Sequence, residues 1–247
     1  MRPYAVILFL MGAVTLAQSE PVTTSSVLPD NRLPLPFGVG VNYYYQNQGY
    51  NLTSLKVNVL ADDLAALENI LIDNEVRETN LKLDVWVLPF LNCFGILGRV
   101  DGTTDVETDL IPGLSVDYAG VVYGGGITLA GGWDAWFLSL TAAMMETELD
   151  TSTSSVKVWI VEPRLGWAGR YGAVWVGGMF QQAEERHEGN ITVPVFGMVD
   201  YKVEFEQKES WNGAVGIATG LNAHWLIDLE AGFGDRLHAS LSATYRF

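Results

Sequence analysis

Apolar and polar residues alternate with a period of two along much of this chain. From Leu237 onward, Leu237, Ala239, Leu241, Ala243, Tyr245 and Phe247 take every second place, against His238, Ser240, Ser242, Thr244 and Arg246. Successive side chains of an extended strand point to opposite faces, so the pattern predicts a strand with one oily and one wet face. Phe37, Val39, Val41, Tyr43 and Tyr45 alternate in the same way with Gly38, Gly40, Asn42, Tyr44 and Gln46. A second strand sets Thr79, Leu81, Leu83, Val85 and Val87 against Asn80, Lys82, Asp84 and Trp86, and stops at Pro89, which cannot donate to a ladder. In the third, Phe94, Ile96 and Val100 read as the oily face, opposite Cys93, Gly95, Arg99 and Asp101. Three further hairpins turn at Gly131–Gly132, Gly169–Arg170 and Asn222–Ala223, and the closing strand brings the expected total to about ten, within a range of eight to twelve.

The links between these strands sort by parity. Tight turns join strands 2/3, 4/5, 6/7 and 8/9, while the alternate links run over 49–74, 102–114, 147–155 and 183–208. Only the last alternate link, around Asp235, is short. Tight turns on one side and long loops on the other are the habit of a transmembrane β-barrel, and a soluble sandwich has no reason to adopt them. Aromatic residues sort likewise. Phe37, Phe90, Trp133, Trp136, Trp167, Tyr171, Trp225 and Phe247 lie toward the tight turns, and Tyr43, Tyr45, Phe180, Trp211 and Phe233 toward the other edge. Two belts of amphipathic rings flanking an apolar band are what two bilayer interfaces select. The expected fold is therefore all-β: a single closed antiparallel transmembrane barrel over 37–247, its oily face toward lipid.

The first residues sharpen the address. Arg2, an apolar run from Tyr4 to Leu16 and small residues ending at Ala17 read as a signal peptide over 1–17, leaving 18–36 as an N-terminal periplasmic segment. The apolar run is shorter than the roughly 20 residues a membrane-spanning helix needs. With 29 acidic and 14 basic side chains the net charge is −15, which disfavours nucleic acid as a partner, since phosphate binding needs clustered Lys and Arg. The one cysteine, Cys93, has no partner for a disulfide, and a closed sheet does not require one.

On these residues the chain resembles the Gram-negative outer-membrane β-barrels. The resemblance rests on the leader, the alternating strands, and Tyr245 and Phe247 with Ala239, Leu241 and Ala243 behind them. It implies location in the outer membrane, among lipids and lipopolysaccharide. It also implies that the terminal aromatic strand, through Tyr245 and Phe247, serves as the signal to the barrel assembly machinery.

Several groups could carry chemistry. Lys82, Asp84, Arg99, Asp101, Glu162, Arg164, Asp228, Glu230 and Arg246 are expected to line the lumen. Inside a narrow barrel such charges pair with one another, or else line a selective path for small solutes. On the closing hairpin, Glu230 should lie opposite Ser240 with His238 one inward position away. His, Ser and a carboxylate form an acyl-transfer set, and His238-Ala239-Ser240 is similar to the His-x-Ser of outer-membrane lipid A deacylases. The parity faces inward, however, away from lipid. Omptin-like proteases need Asp pairs and an Asp-His pair at the rim, and only His187 offers a start there. With histidines only at 187, 224 and 238, no metal site is expected, and no cofactor either. Leu60, Leu64, Leu67 and Leu71 recur at helical spacing in the first long link, which predicts a short amphipathic helix over 60–71 acting as a lid. The other long links are acidic. The leading expectation is a non-enzymatic barrel, either a narrow porin-like channel or an envelope-structural protein. The alternatives are a lipid hydrolase using Ser240, His238 and Glu230, and surface adhesion through the 49–74 and 183–208 links.

Overall fold

The computed structural model describes residues 35–57, 71–107, 114–150, 155–193, 197–207 and 210–247. The expected signal peptide and nearly all of the 18–36 segment lie outside them. So does the expected helix, apart from Leu71, which opens a strand.

The strands are β1 (Phe37–Val57), β2 (Leu71–Leu88), β3 (Leu91–Glu107), β4 (Leu114–Trp133), β5 (Trp136–Leu149), β6 (Ser155–Gly169), β7 (Gly172–Val193), β8 (Gly197–Gln207), β9 (Trp211–Gly220), β10 (Trp225–Phe233) and β11 (Arg236–Arg246). All pairings are antiparallel, and β1 pairs with β11 from Gly38↔Arg246 to Gln48↔Arg236. That last seam closes the sheet on itself. The ring holds ten strands, β1–β7 and β9–β11, and has no free edge there.

The eleventh strand, β8, lies above the ring. Ala173–Phe180 of β7 pair with β9, whereas His187–Val193 pair with β8. Gly38–Gln48 of β1 pair with β11, whereas Tyr50–Val57 pair with β8. β8 therefore bridges β7 to β1 over the ends of the short strands β9, β10 and β11. This accounts for the short link at Asp235: those strands stop low, and β8 takes their place above. It also corrects the sequence reading of 183–208 as a loop. The other long links shrink as well, because β1 reaches Val57, β3 reaches Glu107 and β5 reaches Leu149. Backbone pairing continues wherever neighbouring strands run on together, whatever the side chains outside them.

Side chains fill the inside of the ring. Tyr44, Phe94, Ile96, Val122, Ala143, Met145, Val156, Val158, Ile160 and Met179 form one buried apolar cluster. Phe137, Ala168, Ala173, Trp175, Ala218 and Leu226 form a second nearer the tight turns, and Val76, Val100, Tyr118 and Leu149 a third toward the long-loop side. The Trp175 indole lies against Gly216, where a Cβ would meet the ring.

Candidate functional site

Polar residues of β10, β11, β1 and β2 face the apolar clusters across the interior. Glu230 of β10 is the hub. Its carboxylate accepts from the Arg164 guanidinium of β6 at 2.5 Å and from the Trp175 indole N–H of β7 at 3.3 Å. Arg164 also reaches Glu162 at 3.5 Å and lies over the Trp175 ring, 5.4 Å from its centroid. Both carboxylates and the guanidinium are 2–3% exposed, so the pairing is effectively dry. Pro163 between Glu162 and Arg164 interrupts the β6–β7 ladder, since its nitrogen carries no hydrogen.

His238 completes this cluster. It pairs across the hairpin with Gly232, and its imidazole occupies the space a Cβ there would take. The Asn212 side-chain amide donates to Nδ1 at 3.2 Å, and Nε2–H donates to Glu230 at 3.3 Å. Ser240 does lie opposite Glu230. Both imidazole nitrogens are engaged elsewhere, though, and no hydrogen bond joins His238 to Ser240 among the described residues. A base with no free nitrogen cannot take the hydroxyl proton, so the arrangement orients an imidazole without activating a nucleophile.

Nearer the tight turns, Asp84 accepts from Arg246 at 3.0 Å and from the Asn92 amide at 2.7 Å. Lys82 is buried with its ammonium 4.8 Å from the Phe94 ring centroid. Asp228 is buried on β10. Toward the other end, Arg236 donates to Gln181 at 2.5 Å, and Tyr44, Gln46 and Gln48 form a hydrogen-bonded chain along β1. Asn74 bonds Thr104 at 2.8 Å and Tyr118 at 2.9 Å. The sequence reading did not single out Glu78, Gln181, Asn212 or Arg236. Each sits on the inward parity of its strand, which is the signal that would have found them.

Two of the expected lumen residues are not inside. Arg99 and Asp101 are 58% and 65% exposed on the outer surface, where they pair at 3.7 Å, and Arg99 also meets Asp150 at 3.4 Å. Both faces of β3 carry apolar residues, so alternation alone left its direction open. Pairing decides it. Lys82 stands opposite Ile96 and Asp84 opposite Phe94, and directly paired residues share a face. Phe94, Ile96 and Val100 therefore point inward, while Leu97, Arg99 and Asp101 point out. His187, weighed for a protease rim, has its side chain outside the described residues.

The outer wall decides the surroundings. Leu81, Leu83, Leu97, Ile127, Leu138, Leu140, Leu165, Val176, Ile217, Leu229 and Leu241 are exposed there. Between Trp136 and Met144 on β5, Trp159 and Trp167 on β6, and Trp225 and Phe233 on β10, no outward position is charged. Exposed rings at Phe37, Phe90, Trp133, Trp136, Trp167, Tyr171, Trp225 and Phe247 border this band on one side, and Tyr43, Tyr123, Trp159, Trp211 and Phe233 on the other. A greasy outside around a charged, paired inside is a soluble barrel reversed, and only acyl chains can cover it. The protein is an outer-membrane β-barrel.

No protein-family model matches the chain, and no curated protein does. Among solved structures this barrel is similar to the outer membrane protease OmpT from Escherichia coli, at 10% identity over 90% of this chain and 100% of that one, with a TM-score of 0.48. It is also similar to the β-domain of the Bordetella autotransporter Brka, at 12% identity over 85% and 99%, TM-score 0.41. A third is the Acinetobacter baumannii outer membrane protein Omp33, at 12% identity over 87% and 99%, TM-score 0.30.

Proposed function

We propose that the protein is a closed, non-enzymatic barrel of the bacterial outer membrane, a structural element of the envelope with no standing aqueous path. One observation carries this reading: inward side chains at every level of the ring are buried. Arg246 and Asp84, then Arg164, Glu162 and Glu230, then Gln181 and Gln46, then Asn74 and Thr104, are each under a tenth exposed. A water-filled pore would leave its lining wet, whereas here Arg164 meets Glu230, Gln181 meets Arg236 and Arg246 meets Asp84 between strands that are not neighbours. The apolar cluster around Tyr44, Phe94 and Met145 occupies the other half of the section. Buried charges in such a filled interior hold the strands in register; they do not offer sites to a passing ion. The engaged nitrogens of His238 speak against hydrolysis by Ser240.

Planar-bilayer recording on the refolded protein tests this reading, with insertion verified by heat-modifiable mobility on gels. No discrete conductance steps are expected. Reproducible single-channel steps that scale with the amount of inserted protein would overturn it.

A further inference from the structure

The outer wall is not uniformly convex. An apolar groove of about 560 Å³ runs along it, with Trp136, Leu165 and Trp167 on one side and Ile217, Leu229 and Ala231 on the other. It continues toward the tight turns into a second hollow of about 490 Å³, which shares Trp167, Val174, Ile217 and Leu229 and reaches Tyr171 and Thr219. Strand register explains the shape. Trp136, Trp167, Val174, Ile217, Leu229 and Leu241 form one outward row across neighbouring strands. In the next row, Val215 and Ala231 stand opposite each other on β9 and β10. Above that row, Gly178 pairs with Gly213. The large indoles of β5 and β6 thus stand above shorter side chains such as Val174, Val176, Val215 and Ala231 on β7, β9 and β10. Each hollow is within the range of roughly 300–1,000 Å³ usual for ligand sites.

The lower end of the groove carries a charge. Arg170, in the β6–β7 turn, holds its guanidinium 4.7 Å from the centroid of the Tyr171 ring, and Tyr171 lines the second hollow. Arg170 makes no ion pair among the described residues. None of the other three tight turns, at Pro89–Phe90, Asp134–Ala135 and Leu221–His224, contains Lys or Arg. In barrels of this class the tight turns face the periplasm, so this cation stands at the headgroup level of the inner leaflet.

We infer that this wall holds one phospholipid of the inner leaflet, an acyl chain lying in the groove between Trp167 and Leu229 and the phosphate meeting Arg170. The groove is continuous with the lipid-facing surface, so its occupant enters from the bilayer without crossing water. An apolar channel ending at a cation that meets an aromatic ring but no carboxylate among the described residues complements a molecule with a long apolar tail and an anionic head. The inference concerns the outer wall and holds whether or not the interior conducts.

Native mass spectrometry of the detergent-released full-length mature protein, titrated with dioleoyl phosphatidylglycerol, provides the test. A one-lipid adduct is expected. Ala231→Trp, which fills the groove, should remove it, while Leu97→Trp, on a distant part of the wall, should keep it. Arg170→Gln, on an exposed turn where folding is not at stake, should weaken retention about five-fold, the size of one exposed charge contact. Equal adducts in Ala231→Trp and Leu97→Trp would overturn the inference, as would retention that Arg170→Gln leaves unchanged. A dimer in place of the adduct, or binding of lipid A with none of phosphatidylglycerol, would also overturn it.

Discussion

Glu230 shows at the scale of one residue how this interior is held. It meets Arg164 from β6, Trp175 from β7 and His238 from β11, so a single carboxylate ties three other strands to β10. Burying such a group is costly, and the cost is offset only while every partner stays in place. Arg164→Met would remove the guanidinium that Glu162 and Glu230 share in a dry site. Breaking a buried pair from one side costs about 3–5 kcal/mol, and a loss of that order is expected in urea unfolding of the vesicle-embedded barrel. The double variant Arg164→Met with Glu230→Gln should recover part of the loss, because the uncompensated charge at the hub is then gone. A double variant no more stable than the single one would contradict the role given to Glu230. The alternation of β10 and β11 made Glu230, His238 and Ser240 visible as inward residues. Their partners Asn212 and Trp175 come from other strands, and Asn212 together with Glu230 takes the imidazole nitrogens away from Ser240.

At the scale of the element, each strand has a wet side and a lipid side, and the two tolerate charge differently. On β5, Leu138, Leu140 and Met144 face lipid, and Glu146 marks where the band ends. Leu140→Arg should cost about 2–4 kcal/mol near the bilayer midplane, while Glu146→Arg, near the interface, should cost about 0–1 kcal/mol. Folding yield into phosphatidylcholine vesicles, read by gel mobility across a urea series, distinguishes them; equal costs would contradict the lipid-facing assignment of β5. Strand β3 marks the limit of reading elements one at a time. Cys93 and Leu97 alternate with Phe94, Ile96 and Val100, so both faces are apolar, and only pairing with Lys82 and Asp84 across the tight turn sends Arg99 and Asp101 outside. The turn and the parity of β2 were both present in the sequence, so joining them would have found the direction of β3.

At the scale of the molecule, one ring is completed twice. Within the bilayer it closes through β9, β10 and β11, and above them through β8. The two closures share β1 and β7 but use different residues of each. Replacing 194–208 by a short Gly/Ser link should therefore leave the lower ring folded, since every pair from β7 to β9 and from β11 to β1 remains. Amide exchange should accelerate at Tyr50–Val57 and His187–Val193, and Gly38–Gln48 should stay protected. Loss of protection throughout β1 would show that the lower ring cannot close without β8.

Alternation with a period of two determined the strands, their number in the ring, the lipid-facing band and most of the inward residues. Each of these follows from the geometry of an extended chain against a two-sided environment, and so is written locally. Tertiary structure alone decided how far the strands run above the membrane, that β8 completes the upper closure, and that the interior is filled. Those outcomes depend on which residues meet across the ring, such as Arg164 with Glu230 or Asp84 with Arg246. Nothing in the spacing of residues along one strand specifies a partner several strands away.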